Sequence, residues 1–517
     1  MPKGSTLRGS WIAAAIILVV AAEARFLGLA IHSLWFDEAF SVDLATKPIW
    51  AVLRFLPYND THPPLYYVLL GAWIHVFGSS ETAVRALSAL MGFLMVPLLY
   101  AFARQLVDRD VALVAAALLA GSAFATIAAQ EARMYPLLGL LALASWYSLR
   151  RGVQHRTLWP WIAYAVSSAL MVYTHYFGFL VIGSQVLYLI PLVRRDRRTL
   201  IAAAISLGTV ALLFVPWVHG FVMQATSGKA EPTFRQPAGL RAVQDLLAQY
   251  GFGGELLGTG GYHHVGVVPL WQESLIVLPF FALVVLGTYA MRGERAWCLL
   301  CYLVGPVAMA LVVSLRDNIF YPRYFSFLEP PFALLIAAGV DVVATRISRL
   351  GALGVRGHPI VMAGFVAIVL LANGPVLNGY RWHRAGEYDW RGAAAVVSRT
   401  AGADDYLLFI PGFARIPFEY YYKGHLGSYE LTPVETYRMA RMKTSPVPSV
   451  DKAWARSIAE VHPRIWIVAT VPMTPASFLR LEDLLKESFI PVHDWDFNNV
   501  YVLSLASRLY GGAARSR

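Results

Sequence analysis

Long apolar segments separated by short polar loops fill residues 11 to 379. A helix needs about 17 to 25 apolar residues to cross the hydrocarbon core of a bilayer. The apolar stretch 64–78 is short and begins at a proline pair, so we expect it to dip into the membrane or lie along its surface. The remaining pattern predicts eleven spans, at 11–29, 86–103, 111–129, 134–149, 159–176, 178–193, 200–218, 271–291, 296–315, 325–345 and 359–379.

The composition strengthens the prediction of a polytopic α-helical membrane protein. Of the 517 residues, 57% are hydrophobic and only 15% are charged. The mean hydropathy of +0.53 lies outside the range of ordinary soluble domains. Arginines in short loops between spans account for the net charge of +11, so this charge does not indicate a nucleic-acid partner.

The distribution of arginines predicts the orientation of the chain in the plasma (inner) membrane. If 64–78 does not cross, the arginine-rich loops share one side with the N-terminus, and the positive-inside rule makes that side cytoplasmic. The outer face then receives the first loop, 30–85, the long loop 219–270, the short turns near 130–133 and 174–177, the segment Arg316 to Arg323, and the C-terminal tail.

The tail is predicted to form a separate extracytoplasmic domain at 380–517, following a membrane domain at 1–379. Its strand candidates alternate with helical patterns, which is typical of a small α/β domain. The predicted elements are a helix ending at Arg399, strands at Tyr406–Ile410, Ile465–Ala469 and Val500–Ser504, and a helix at Pro475–Glu487 with Thr474 as its N-cap.

Two adjacent carboxylates, Asp37 and Glu38, follow the first span and lie among Trp35, Phe36 and Phe40. Ionisable groups at a membrane boundary are costly and often functional. One interpretation makes them a general base and its orienting partner, because removal of a proton from an acceptor hydroxyl needs a nearby carboxylate. The alternative is an amphipathic surface loop whose acids remain hydrated.

His62 directly precedes the pair Pro63-Pro64, which is predicted to open a helix. The free amide groups and the dipole of such a helix start favour an anion, so His62 and this terminus are candidates for holding a phosphate. A rigid turn with an interfacial tyrosine pair explains the same pattern.

Two predicted outer turns also carry polar residues. Glu131 and Arg133, followed by Tyr135, lie between two spans with almost no linker. They form either an ion pair that caps two helix ends or part of a polar cavity. His175 lies among aromatic residues in the next outer turn, where an interfacial anchor is the alternative to a ligand.

Two arginines are placed on the side where positive charge is not expected. Arg323, followed by Tyr324, lies at the outer end of a predicted span, and Arg25 lies near the outer end of the first span. An arginine that departs from the charge rule favours an anionic partner. For Arg25, snorkelling to the interface is the alternative.

The ordered set of motifs resembles the multi-spanning glycosyltransferases of the GT-C fold. It is most similar to the bacterial branch of the protein O-mannosyltransferase and lipid A aminoarabinose transferase superfamily, family 39 and its relatives. The resemblance covers roughly residues 10 to 350, and its motifs are Leu34 to Ala39, His62 to Tyr67, Ala83 to Arg85, Glu131 to Tyr135, and Arg323-Tyr324.

The resemblance implies inverting transfer of a sugar from a polyprenyl-phosphate donor to an acceptor hydroxyl on the outer face. Asp37 matches the catalytic base of the family, with Glu38 beside it. His62 stands where aminoarabinose transferases usually place a lysine near the donor phosphate, and Arg85 matches an arginine at the start of a span. Arg133 and Arg323 are expected to clamp the phosphate on charge grounds. The predicted donor and substrate residues are His62, Arg85, Glu131, Arg133, Tyr135, His175, Arg323 and Tyr324.

The sequence leaves several choices open. The sugar is a hexose, a mannose-like sugar or a pentose, and the acceptor is a protein, a lipid or an envelope glycan. The two adjacent acids leave a divalent metal possible, although relatives with this donor type are generally metal-independent. A lipid-linked glycan ligase or polymerase is the nearer alternative function, and a secondary transporter is the more distant one.

Overall fold

The computed structural model describes residues 4–155, 157–193, 196–226, 238–252, 270–350, 357–382, 388–431, 450–470 and 475–510. The chain divides into two compact units. The first contains Met1–Leu29, Thr61–Met223 and Arg235–His383, and the second contains Ala30–Asp60, Gln224–Phe234 and Arg384–Arg517. The predicted boundary at 379/380 remains a proposal, and the first outer loop is shared between the two units.

The chain up to residue 382 is helical wherever it has regular structure in the described ranges. The helices are α1 (Gly4–Phe26), α2 (Phe36–Ala45), α3 (Ile49–Asn59), α4 (Leu65–Phe77), α5 (Glu81–Ala103), α6 (Arg109–Ala120), α7 (Ala123–Ala129), α8 (Tyr135–His155), α9 (Leu158–Thr174), α10 (Gly178–Val193), α11 (Arg197–Phe214), α12 (Val218–Thr226), α13 (Leu240–Phe252), α14 (Leu270–Met291), α15 (Gly293–Ser314), α16 (Glu329–Arg349) and α17 (Gly357–Trp382). Short 3-10 helices at Val215–Trp217 and Pro322–Leu328 lead into α12 and α16.

Within the described residues, five helical stretches have the length and hydropathy of a membrane span. The pair α6 and α7 makes a sixth candidate if this bent pair crosses as one segment. The short helix α4 has only 13 residues. The total of eleven spans therefore remains a prediction. The five stretches are Glu81–Ala103, Arg197–Thr226, Gly293–Ser314, Pro322–Arg349 and Gly357–Arg381.

The predicted span 111–129 is built from two helices, and the segment bends by 56° between α6 and α7. Ser122 caps the start of α7 by accepting the Ala125 N–H, and this leaves the last carbonyls of α6 open to other donors. Arg25 supplies these hydrogen-bond donors. Its fully buried guanidinium donates to the carbonyls of Leu119 at 2.7 Å and Ala120 at 2.6 Å.

Arg25 therefore neither snorkels to the interface nor forms an ion pair among the described residues. Its Nε also donates to the Gly92 carbonyl of α5 at 3.2 Å. A cation is favoured at the negative end of a helix dipole, and here it joins α1, α5 and α6.

Helix α16 belongs to the most buried of the five candidate spans. In Pro322–Arg349, 83% of an apolar 18-residue stretch is buried inside the protein, compared with 22% in Gly357–Arg381. Helix α16 packs against α14 through two glycines. A Cβ at Gly287 would lie 2.2 Å from the Leu335 carbonyl, and one at Gly339 would lie 2.1 Å from the Leu283 carbonyl. Small residues allow helix backbones to approach this closely in membrane proteins.

The C-terminal part of the second unit is a five-stranded sheet with helices on both faces. Its helices are α18 (Trp390–Thr400), α19 (Arg415–Tyr421), α20 (Lys452–Val461) and α21 (Pro475–Leu485). Its strands are β1 (Tyr406–Ile410), β2 (Gly427–Glu430), β3 (Arg464–Thr470), β4 (Phe489–Asp496) and β5 (Val500–Ser507). The sheet order is β2-β1-β3-β5-β4, in which β1 is parallel to β2 and β3, and β5 is antiparallel to β3 and β4.

Alternating side chains of the central strands form two separate cores. Leu407 and Phe409 face α18 and α19 together with Trp390 and Phe418. The intervening residues of β1 face α20 and α21, where Ala455 and Leu481 belong to the second core. Because side chains alternate across a strand, one strand serves both layers of the sandwich.

The tail confirms the predicted α/β architecture, and β1 has the predicted bounds. The sequence did not indicate α19, α20, β2 or β4. Strand β2 has only four residues, and β4 contains Pro491 and is largely exposed, so neither shows a clear apolar alternation. The predicted N-cap Thr474 lies outside the described residues, as do parts of the long loop 219–270.

Candidate active site

Asp37 and Glu38 lie in the first turn of α2, within the second unit. Carboxylates are favoured in this position because the amide groups of a helix start carry partial positive charge. The two side chains differ in accessibility. Asp37 is half-buried, whereas Glu38 is fully buried. Only Asp37 therefore retains solvent-accessible surface.

Glu38 has a local structural contact that the sequence analysis did not assign. Its Oε2 accepts the backbone N–H of Trp35 at 3.3 Å. Trp35 is the residue before the helix, and a glutamate three positions later that returns to this amide is one half of a capping box. Glu38 thus fixes the start of the helix on which Asp37 lies.

Six of the predicted residues meet in the first unit. The centre is Tyr135, whose ring lies 5.4 Å from the Arg323 guanidinium carbon and 6.0 Å from that of Arg133. The Tyr135 ring also lies 5.9 Å from the Tyr324 ring and 6.2 Å from the His175 ring, centroid to centroid. We call His62, Arg133, Tyr135, His175, Arg323 and Tyr324 the arginine–tyrosine cluster.

Both arginines of the cluster are more than nine-tenths buried. Burial of a cation is costly unless anions or polar groups surround it. The rings of Tyr135, Tyr321 and Tyr324 face the Arg323 guanidinium carbon, at 5.4, 4.9 and 5.9 Å. Aromatic faces attract a guanidinium, which places a planar hydrogen-bond donor in a defined orientation.

The two histidines of the cluster lie side by side, with ring centroids 5.4 Å apart. His175 ends α9, and its Nδ1 accepts the backbone N–H of Phe177 at 3.1 Å. In the neutral ring this hydrogen bond assigns the proton to Nε2. His175 therefore lies in the cluster as a donor with a defined tautomer, although the sequence equally allowed an interfacial anchor.

Arg85 and Glu131 are also buried. Their described contacts are with residues outside the arginine–tyrosine cluster or with the backbone of Arg133. Arg85 Nη1 donates to the Leu29 carbonyl at 2.6 Å, just after the end of α1. Glu131 lies in a tight turn in which the Arg133 N–H donates to its carbonyl at 2.7 Å. This turn orients Arg133 relative to the start of α8.

Two polar residues that the sequence analysis missed support this turn. Ser88 Oγ donates to the Arg133 carbonyl at 2.9 Å and lies 2.9 Å from the Tyr66 hydroxyl. Tyr321 was also missed as a ring partner of Arg323. Its position two residues before Arg323 was visible, but its orientation depends on the 3-10 turn.

The described residues contain no group of three or more histidine, cysteine, aspartate or glutamate side chains arranged to hold a metal ion. In the Asp37-Glu38 pair, Glu38 Oε2 accepts the Trp35 N–H. Cys298 and Cys301 are buried within α15 as free thiols.

Comparisons with known proteins identify the fold of the chain. Residues 61–219 match the model of a family described as dolichyl-phosphate-mannose-protein mannosyltransferase. The structure is similar to that of ArnT from Cupriavidus metallidurans in the apo state, with a TM-score of 0.64, 15% identity, and coverage of 98% of this chain and 100% of that chain. The chain is a glycosyltransferase with the GT-C fold.

Two other solved structures have the same fold. ArnT from Cupriavidus metallidurans bound to undecaprenyl phosphate gives a TM-score of 0.62 at 16% identity, covering 97% of this chain and 99% of that chain. The apo oligosaccharyltransferase from Archaeoglobus fulgidus gives 0.57 at 14% identity, covering 95% and 74%. No match is found among curated protein sequences.

These findings confirm the predicted fold class, the resemblance and the enzyme class of this multi-pass membrane glycosyltransferase. The family match includes six predicted site residues, which are His62, Arg85, Glu131, Arg133, Tyr135 and His175. The other four predicted site residues lie outside the matched range; they are Asp37, Glu38, Arg323 and Tyr324. The roles of all ten predicted site residues remain predictions.

Proposed function

We propose that this glycosyltransferase moves a hexose, a mannose-like sugar or a pentose from a polyprenyl-phosphate donor to an acceptor hydroxyl at the outer face of the plasma membrane. The arginine–tyrosine cluster carries the proposal. Two buried guanidinium groups and a histidine Nε2–H lie together in a largely apolar unit, where hydrogen bonds to an anion are strong. A lipid phosphate is an anion that reaches such a site from the bilayer.

In the proposed reaction, the acceptor oxygen attacks the anomeric carbon as the bond to the phosphate oxygen breaks. A single displacement inverts the anomeric centre and leaves polyprenyl phosphate. Arg133 and Arg323 stabilise the negative charge that develops on the leaving phosphate. Asp37 accepts the proton of the acceptor hydroxyl, as the family resemblance implies, and it is the less buried of the two adjacent acids.

The donor class is supported by the relatives. ArnT from Cupriavidus metallidurans has been solved with undecaprenyl phosphate bound, and the Archaeoglobus fulgidus oligosaccharyltransferase AglB has been solved with a dolichol phosphate and an inhibitory peptide. The acceptor of this chain is a protein, a lipid or an envelope glycan. The N-terminus is proposed to be cytoplasmic and the C-terminal domain extracytoplasmic.

Purified protein in lipid nanodiscs tests the proposal. We would supply undecaprenyl-phosphate mannose, glucose and aminoarabinose, each with a membrane extract as the acceptor source, and measure released undecaprenyl phosphate. Release with at least one donor is expected. Failure with all of them, combined with turnover of a pyrophosphate-linked oligosaccharide, would favour the ligase alternative and overturn the proposal.

A further inference from the structure

The second unit joins two parts of the chain that are more than 300 residues apart in sequence, Ala30–Asp60 and the C-terminal α/β domain. The first part carries Asp37 on α2. The second part has no role assigned by the sequence. The contacts between these two parts indicate a role for the C-terminal domain.

The backbone that leads into α2 is held by polar contacts from the C-terminal domain. The Leu34 N–H donates to the Tyr421 hydroxyl oxygen at 2.6 Å. Ser33 Oγ donates to Asp389 Oδ1 at 3.3 Å and accepts the Arg391 N–H at 3.3 Å. Two consecutive residues of this segment, Ser33 and Leu34, are thus hydrogen-bonded to residues more than 300 positions away in sequence.

Arg391 connects these contacts into one network. Its Nη2 donates to the Ala30 carbonyl at 3.1 Å, and its guanidinium carbon lies 6.0 Å from the centre of the Tyr421 ring. Asp389 caps α18 by accepting the Gly392 N–H at 2.8 Å. The groups that hold the loop are therefore themselves held by α18 and α19.

The segment around α2 contacts the sheet near the end of β1, and the strand order explains why this place is available. The chain leaves β1 toward β2 on one side and returns to β3 on the other, so the strand order reverses beside β1. In open α/β sheets the carboxyl ends of the strands form a crevice at this switch point. Phe413 follows β1 there, and its ring packs edge-on against Phe36 of α2 at 5.0 Å.

We propose that the C-terminal domain positions the general base, with Tyr421 and Arg391 as positioning residues that fix the start of α2 and thereby the Asp37 carboxylate. This inference rests on the proposed function, because it takes Asp37 as the base. Neither residue contacts substrate in this scheme. Their effect on catalysis passes through the Leu34 amide, the Ala30 carbonyl and the helix that follows.

The most direct variant is Tyr421→Phe, which removes the hydroxyl and keeps the ring on α19. Tyr429→Phe is the matched control, since Tyr429 lies on β2 of the same domain and packs on Trp454 at 5.2 Å. Loss of one net hydrogen bond is expected to lower kcat by about 3- to 10-fold in Tyr421→Phe. The KM for the donor is expected to stay within about twofold. The thermal midpoint is expected to fall by no more than about 2 °C in Tyr421→Phe and to stay at the parent value in Tyr429→Phe.

A second pair of variants removes the cation. Arg391→Ala is expected to lower kcat, as Tyr421→Phe does. Arg399→Ala, on the same helix, is expected to keep the kcat of the parent. Hydrogen exchange of the full-length protein in nanodiscs reports the loop directly. The Leu34 amide is expected to exchange faster in Tyr421→Phe than in Tyr429→Phe.

The outcomes separate the two proposals. If Asp37→Asn is inactive but Tyr421→Phe and Arg391→Ala keep the parent kcat, the positioning role is overturned and the base stands. If Asp37→Asn retains turnover, the base and its positioning are both overturned. A rise in donor KM with unchanged kcat would also contradict the positioning role, because it would indicate an effect on donor binding.

Discussion

The guanidinium carbon of Arg323 lies 5.4 Å from the centre of the Tyr135 ring, although 188 residues separate the two along the chain (323 − 135 = 188). One residue belongs to the 3-10 turn before α16, and the other begins α8. This pair joins the C-terminal half of the membrane domain to the turn that carries Arg133.

The first prediction concerns the charge at this position. Arg323→Ala is expected to lower kcat/KM for the lipid donor by about 10- to 100-fold, because hydrogen bonds to a charged group contribute more than neutral ones. Steady-state kinetics of the nanodisc-embedded protein measure this effect. Arg316→Ala is the control, since Arg316 is exposed in the preceding loop. Equal activity of the two variants would contradict a phosphate-binding role.

The second prediction tests the aromatic ring. Tyr135→Phe retains a π face for Arg323 and Arg133, whereas Tyr135→Leu retains bulk without that face. A cation–π contact in a desolvated site contributes about 2 kcal/mol. We therefore expect donor affinity close to the parent in Tyr135→Phe and about 30-fold weaker in Tyr135→Leu, measured by titration with a labelled polyprenyl phosphate. If Tyr135→Phe and Tyr135→Leu bind the polyprenyl phosphate with equal affinity, the Tyr135 ring contributes only packing.

The third prediction separates the two adjacent acids. Asp37→Asn is expected to reduce turnover by at least about 100-fold, as for loss of a general base. Glu38→Gln keeps an oxygen acceptor for the Trp35 amide and is expected to retain most activity. Glu38→Ala removes this cap and is expected to cost about 1 kcal/mol in stability.

Asp43→Asn provides the control on the same helix, where Asp43 pairs with Lys47 at the surface. Initial rates and donor binding are measured side by side for all four variants. Full turnover by Asp37→Asn, or inactivity of Asp43→Asn, would show that the charge of α2 does not act through Asp37.

The fourth prediction concerns Arg25, which binds three carbonyls in the interior. Arg25→Leu leaves buried acceptors without their donor and is expected to lower the stability by roughly 3 kcal/mol. The thermal unfolding midpoint in detergent measures this loss. Arg104→Leu, at an exposed helix end, is expected to leave the midpoint unchanged. A midpoint of Arg25→Leu equal to the parent would mean that the three carbonyls find other donors.

Local patterns were sufficient for the class of the protein and for much of the candidate site. Apolar length and loop arginines indicated the membrane domain, and strand β1 was predicted with its observed bounds. Charge in an unexpected place marked Arg323, and the confinement of Arg133 between two spans marked the second arginine. These signals are readable because hydropathy and charge act on each segment within a few residues.

The break between α6 and α7 and the role of Arg25 were not readable. Both depend on which carbonyls lie beside the Arg25 guanidinium, and that is decided by packing of α1 against α5 and α6. The same holds for Glu38, whose carboxylate was expected beside the chemistry and instead accepts the Trp35 amide.

The sequence by itself determined a multi-spanning helical membrane protein, because periodicity, hydropathy and charge are local properties. The glycosyltransferase class and the residues of the candidate site followed from the resemblance of its motifs to the GT-C family. The tertiary structure decided that Tyr135 lies against Arg133, Arg323 and His175, and that Tyr421 holds the backbone at Leu34. Those contacts join segments hundreds of residues apart, and their geometry exists only after helices and strands have packed.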